Sequence, residues 1–157
     1  MRRPRIALLE AAHNDDNNLR NFRRELDADL VEFDAANGEL PVSTAGYDAI
    51  VITGSRASVY WDKTWIDPLI EFIATAVDDG LPALGVCYGH QALAEALGGR
   101  VAGMNDFALG YNAIARVRDD EPFARIDERL TVVTSHGDTC DAAAPGAEPT
   151  ERQHTGL

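Results

Sequence analysis

Cys87 stands in Gly85-Val86-Cys87-Tyr88-Gly89-His90-Gln91. An apolar run, Leu81 to Val86, leads into it, and a helical pattern from Gln91 to Leu97 leads away. That order reads as a strand, a sharp turn and a helix N-terminus with a thiol at the corner. It is the cysteine counterpart of the G-x-S-x-G nucleophile turn. A thiol at the positive end of a helix dipole is held more readily as thiolate, and the unpaired N–H groups there can hold an oxyanion. Gly85 and Gly89 permit the tight turn and a close approach of substrate. A cysteine between strand and helix can also be an inert packing residue. The paired glycines and Gln91 favour the nucleophile.

The positioning elements follow from hydrophobic pattern. Arg5 to Glu10 reads as a first strand. The cap-rich stretch His13 to Asn18 precedes a helix whose apolar face is Leu19, Phe22 and Leu26. Asp29 to Phe33 reads as a second strand, followed by a turn at Asn37-Gly38 and Pro41. Asp48 to Thr53 is a continuous apolar run, as in a parallel strand covered on both faces. It ends in Thr53-Gly54-Ser55-Arg56, where α/β sheets bind ligands. Trp65 to Val77 reads as an amphipathic helix closed by Asp79-Gly80. Strands alternating with helices predict an α/β fold with a mostly parallel sheet in one domain, residues 1–147. Arg100-Val101-Ala102 and Tyr111 to Val117 read as shorter strands, antiparallel and at one edge. Leu130 to Thr134 is a further strand running into Ser135-His136-Gly137-Asp138. Residues 148–157 read as an irregular tail.

The chain has 157 residues, with 26 acidic against 14 basic side chains and a net charge of −12. That balance disfavours nucleic acid and anionic membranes as partners. No apolar run reaches membrane-spanning length and no signal-peptide core follows Met1, so a soluble cytoplasmic protein is expected. Lys63 is the only lysine; acid excess with so little lysine reads as a halophilic, haloarchaeal-type composition. Two cysteines make neither a disulfide framework nor a zinc site. His13 with Asp15 and Asp16 lies in a cap loop and reads as solvent-exposed rather than metal-binding. No metal and no cofactor are implied.

Taken together the motifs resemble class I glutamine amidotransferase domains. Gly85-x-Cys87-x-Gly89-x-Gln91 is similar to that family's nucleophile motif. Thr53-Gly54-Ser55-Arg56-Ala57-Ser58-Val59 is similar to its oxyanion loop. Gly98-Gly99-x-Val101 and Ser135-His136-x-Asp138 follow in the family's order. The resemblance covers residues 5 to about 146, and within the family it is greatest to small stand-alone proteins like the amidotransferase part of GMP synthase. It implies a three-layer flavodoxin-like fold. It also implies a Cys-His-Glu triad that takes the amide nitrogen from glutamine through a γ-glutamyl thioester.

Carried over by position, Cys87 is the nucleophile. The Tyr88 N–H with one from Gly54 or Ser55 holds the oxyanion, and Gln91 seats the substrate glutamine. A separate synthetase accepting ammonia is the implied partner. Two departures accompany this. The family's late Q-F-H-P-E motif, which supplies histidine and glutamate, is absent, so the last strands and closing helix are expected to be missing and activity impaired. Ala108 stands where relatives commonly carry glutamate. His90, His136 and His154, the last near Glu148 and Glu151, are the remaining histidines beside which a base could be sought; His136 reads as a loop-packing residue. The alternatives are a non-catalytic relative that binds glutamine or a partner chain, and a γ-glutamyl peptidase-like cysteine hydrolase.

Overall fold

The computed structural model describes residues 2–13, 16–116, 125, 127–147 and 151–153. Its elements in chain order are β1 (Arg5–Leu9), α1 (Asp16–Glu25), β2 (Asp29–Phe33), a 3-10 turn (Ala35–Asn37), β3 (Ala49–Ile52), α2 (Ile66–Asp78), β4 (Ala83–Gly85), α3 (Tyr88–Ala96), β5 (Arg100–Arg116), β6 (Arg129–Ala142) and β7 (Glu151–Gln153). Among the described residues, no helix is long and apolar enough to cross a membrane.

The first four strands form one parallel sheet in the order β2-β1-β3-β4. Alternation along β1 and β3 divides their side chains between two faces. Leu8 and Val51 point to the side where Leu19 of α1 packs, with Phe22 and Leu26 partly covering it. Ala7, Leu9, Ile50 and Ile52 point to the other side, against Ile66, Leu69, Ile73 and Ala76 of α2 and Ala92 of α3. All of the α2, β1 and β3 residues just named are buried. At about 25 cal/mol per Å² of apolar surface removed from water, this sandwich is the main source of stability. The layering is helix, sheet, helices, as expected for a flavodoxin-like fold.

The chain leaves β1 for β2 on one side, then crosses to β3 on the other. The C-terminal ends of β1 and β3 therefore flank a topological switch point, where a crevice opens in sheets of this kind.

The second half departs from the sequence-based expectation in arrangement. Arg100–Ala102 and Tyr111–Arg116 are not two edge strands of the parallel sheet. They belong to one 17-residue strand, β5. It pairs antiparallel with β6, with register shifts at Arg100/Val101 and between Gly103 and Ala108. These strands, with β7 on the outer side of β5, make a separate three-stranded sheet in the order β6-β5-β7. β6 does not stop at Thr134 but runs on through His136 to Ala142. Val101, buried in the main core, anchors the ribbon to the α/β body. The tail expected to be irregular contributes β7, paired with Ile114–Arg116; residues 148–150 and 154–157 lie outside the described residues.

Candidate active site

Cys87 is the residue between β4 and α3, with φ 55° and ψ −112°. Among the described residues it is the only non-glycine with positive φ. Such a backbone costs about 1–3 kcal/mol and persists only where the surroundings impose it. The surroundings are two backbone contacts that admit no side chain. A Cβ on Gly85 would stand 2.3 Å from the Gly89 carbonyl oxygen, and a Cβ on Gly89 would stand 2.3 Å from that of Ile52. The first turn of α3 thus rests directly on the ends of β4 and β3, and the chain reaches it only through the strained corner at Cys87. The thiol is exposed. Among the described residues, nothing is hydrogen-bonded to its Sγ.

The loop after β3 is fixed beside this corner by Thr53, which is fully buried. Its hydroxyl accepts from the Ala11 N–H at 3.0 Å and donates to the Gly54 carbonyl at 3.1 Å. Asn18 Nδ2 also donates to the Gly54 carbonyl, at 3.3 Å. A Cβ on Gly54 would lie 3.6 Å from Cys87 Cβ, so this backbone flanks the thiol. Ala57 N–H donates to Ser55 Oγ at 3.1 Å, which curls the loop over the cleft.

A cleft of ≈ 330 Å³ brings together Ser55, Cys87, Tyr88 and Gln91 with Phe107, His136 and Asp138 of the ribbon. Tyr88 takes part only through its backbone. As the first residue of α3 its N–H has no partner within the helix. Its side chain is buried in the core against Trp65, with ring centroids 5.7 Å apart. Among the described residues the Tyr88 hydroxyl has no hydrogen-bond partner, and burial first, then the Asp67 charge, pushes the phenol well above its ordinary range.

The ribbon adds contacts that the sequence motifs do not specify. Asp138 accepts from Ser58 Oγ at 2.5 Å and from the Tyr60 hydroxyl at 2.7 Å, and so locks the loop after β3 to β6. The signal was present, since Ser58 and Asp138 each stand in a recognisable motif, but nothing in the chain order says that they meet. His136 stands in β6 and lines the Cys87 cleft together with residues of the loop after β3. Its Nδ1–H donates to the Asp138 carbonyl at 3.0 Å, which assigns the neutral ring that tautomer and leaves Nε2 as the acceptor. Ala108 is directly opposite His136 across the ribbon.

The other histidines lie elsewhere. His90 Nδ1 is 3.9 Å from Cys140 Sγ. The Cys140 thiol is pushed up by burial, then by Glu95 and Asp141. His13 sets its ring edge-on to Trp65, with centroids 6.2 Å apart. His154, Glu148 and Asp15 lie outside the described residues. Among the described residues no group of three His, Cys, Asp or Glu side chains could hold a metal ion.

The arrangement can offer a thiol, backbone N–H groups on two sides of it, an amide side chain and an imidazole to one small substrate. The family model for class-I glutamine amidotransferase matches residues 11–156. A GMP synthase [glutamine-hydrolyzing] of Thermomicrobium roseum is 41% identical over 99 residues, which are 63% of this chain and 18% of that protein. The corresponding GMP synthase of Vibrio parahaemolyticus is 37% identical over 91 residues, 58% of this chain and 17% of that one. The chain thus spans less than a fifth of the curated relatives it matches. Among solved structures, a glutamine amidotransferase of Thermotoga maritima superposes with a TM-score of 0.76 at 25% identity, covering 91% of this chain and 64% of that one. A glutamine amidotransferase of Methylobacillus flagellatus gives the same TM-score at 20% identity, covering 98% and 63%, and shares the fold.

Proposed function

The chain belongs to the class-I glutamine amidotransferase family, and from that premise we propose that Cys87 takes the side-chain amide nitrogen from glutamine. Cys87 Sγ bonds to the amide carbon, the C–N bond breaks, and ammonia leaves with the thiol proton. Water then hydrolyses the γ-glutamyl thioester to glutamate and restores the thiol. The Tyr88 N–H and one from Gly54 or Ser55 receive the oxyanion, and Gln91 orients the substrate. The observation that carries this reading is the strained Cys87 corner, exposed in a small cleft with Gln91 and the loop after β3.

Acylation is expected to outrun turnover. Among the described residues no imidazole hydrogen-bonds Cys87, and His136 gives its Nδ1–H to a backbone carbonyl rather than to a carboxylate. A triad base is ordinarily oriented and stabilised as the cation by an acidic group. The ammonia acceptor in this reading is a separate synthetase chain; the relatives named GMP synthase favour a nucleotide-aminating one.

The test is labelling by an electrophile that mimics glutamine, with ammonia release measured alongside. Glutamine is expected to protect Cys87 from the label, and Cys87→Ala to abolish any release. Labelling no faster than that of a free thiol, without protection by glutamine, would favour the non-catalytic reading.

A further inference from the structure

A second and larger cleft, of ≈ 1160 Å³, opens on the other side of the loop after β3. It lies at the switch point between β1 and β3, reaching Ala12 and His13 after β1 and Gly54 to Ala57 after β3. The thiol cleft shares Ser55, Arg56 and Ala57 with it but none of its other residues. It exceeds the roughly 300–1,000 Å³ of ordinary small-molecule sites, so it has room for more than glutamine.

Its lining is unusual for this chain. The protein carries a net charge of −12, yet two cationic side chains line this cleft. They are Arg56 and the sole lysine, Lys63. Both are exposed, and among the described residues neither forms an ion pair. Both tryptophans of the chain also line the cleft. Trp65 is buried in its floor, whereas Trp61 keeps 47% of its surface exposed. Two exposed cationic side chains suit a phosphate, and a half-exposed indole offers a face on which a flat ring can stack. In doubly wound sheets a nucleotide is the ligand such a crevice commonly takes.

We propose that this cleft binds a nucleoside monophosphate, with the phosphate at Lys63 and Arg56 and the base against Trp61. The inference goes beyond the glutaminase reading and does not need the thiol. Because residues 55–57 line both clefts, a ligand bound here also bears on the oxyanion side of the Cys87 site.

Both tryptophans report on this cleft, so intrinsic fluorescence reads it directly. The full chain is titrated at low salt with AMP and GMP, and separately with adenosine and inorganic phosphate. Saturable quenching by at least one nucleotide is expected, weakened about tenfold or more in Lys63→Gln, as for loss of one charge-assisted contact. Arg129→Gln, which removes an exposed charge at the start of β6, is expected to bind as the parent does, and so is Cys87→Ala. Absence of saturable quenching overturns the proposal. So does equal binding by Lys63→Gln, or adenosine or phosphate alone binding as tightly as the nucleotide. Because Cys87→Ala has no nucleophile, failure of the glutaminase reading and failure of this one are told apart.

Discussion

Ser58 Oγ donates to Asp138 Oδ2 at 2.5 Å, joining positions 80 residues apart. The bond links the loop after β3, which belongs to the α/β body, to the antiparallel ribbon. Ser58 is buried, and Tyr60 adds a second hydroxyl to the same carboxylate. The thiol cleft has one wall from each side of this link, so its width depends on it. Hydrogen bonds to charged groups contribute about 1.5–3 kcal/mol.

Ser58→Ala is therefore expected to lower stability by about 1–3 kcal/mol and to slow labelling of Cys87 by a glutamine-mimicking electrophile. Labelling by a small alkylating agent that needs no cleft should change little. Urea unfolding and the two labelling rates check this. Equal slowing of both reagents would mean that the bond supports the fold alone.

The glycines around the corner separate folding from chemistry. Gly89→Ala puts a methyl 2.3 Å from the Ile52 carbonyl oxygen, and a loss of about 3 kcal/mol or more is expected from backbone displacement. Gly54→Ala meets Cys87 Cβ at 3.6 Å and the Val86 carbonyl oxygen at 3.8 Å, both ordinary contacts. It should fold nearly as well as the parent while its methyl crowds the thiol and slows glutamine-directed labelling. Thermal melts paired with labelling rates distinguish the two variants.

The parallel sheet was legible because its strands are short apolar runs bounded by turn residues. Asp29 to Phe33 matched β2 residue for residue. The corner at Cys87 was legible because glycines two residues either side of a cysteine are required there, and the backbone contacts now give the reason. The ribbon was not legible as one unit. Between Gly103 and Gly110 the chain reads Gly-Met-Asn-Asp-Phe-Ala-Leu-Gly, which has the composition of a loop, and the pairing shifts register there. Alternation in strands reports which face is covered but not which strand is the partner. Sequence alone therefore does not say that the β5–β6 hairpin carries His136 to the cleft of Cys87.

The two thiols should differ sharply toward alkylation near neutral pH. Cys87 is exposed at a helix N-terminus, whereas Cys140 is half-buried and its thiol is pushed up by burial, Glu95 and Asp141. Peptide mapping after brief alkylation is expected to show Cys87 modified well before Cys140. The Cys87→Ala variant should then be nearly inert on that timescale.

Glu32 gives the pH dependence. Arg23 of α1 donates to both of its carboxylate oxygens at 2.6 Å, and these hydrogen bonds hold the Glu32 carboxyl below its ordinary value of 4.5. A depressed folded-state value means stability that is fully present above the unfolded value. It is lost as pH falls through the folded one. The pair is solvent-accessible, so the contribution is under about 1 kcal/mol. Glu32→Gln is expected to be slightly less stable than the parent at neutral pH and indistinguishable from it at the acid end. A stability gap that persisted in acid would assign the effect to packing.

Cys87 is the residue proposed to attack glutamine, and the intact mass of the chain after mixing with glutamine and quenching in acid tests that directly. A mass gain of one γ-glutamyl group, located to the Cys87 peptide and absent in Cys87→Ala, is the expected result. An unmodified Cys87, together with ammonia released from glutamine as fast by Cys87→Ala as by the parent, would contradict it.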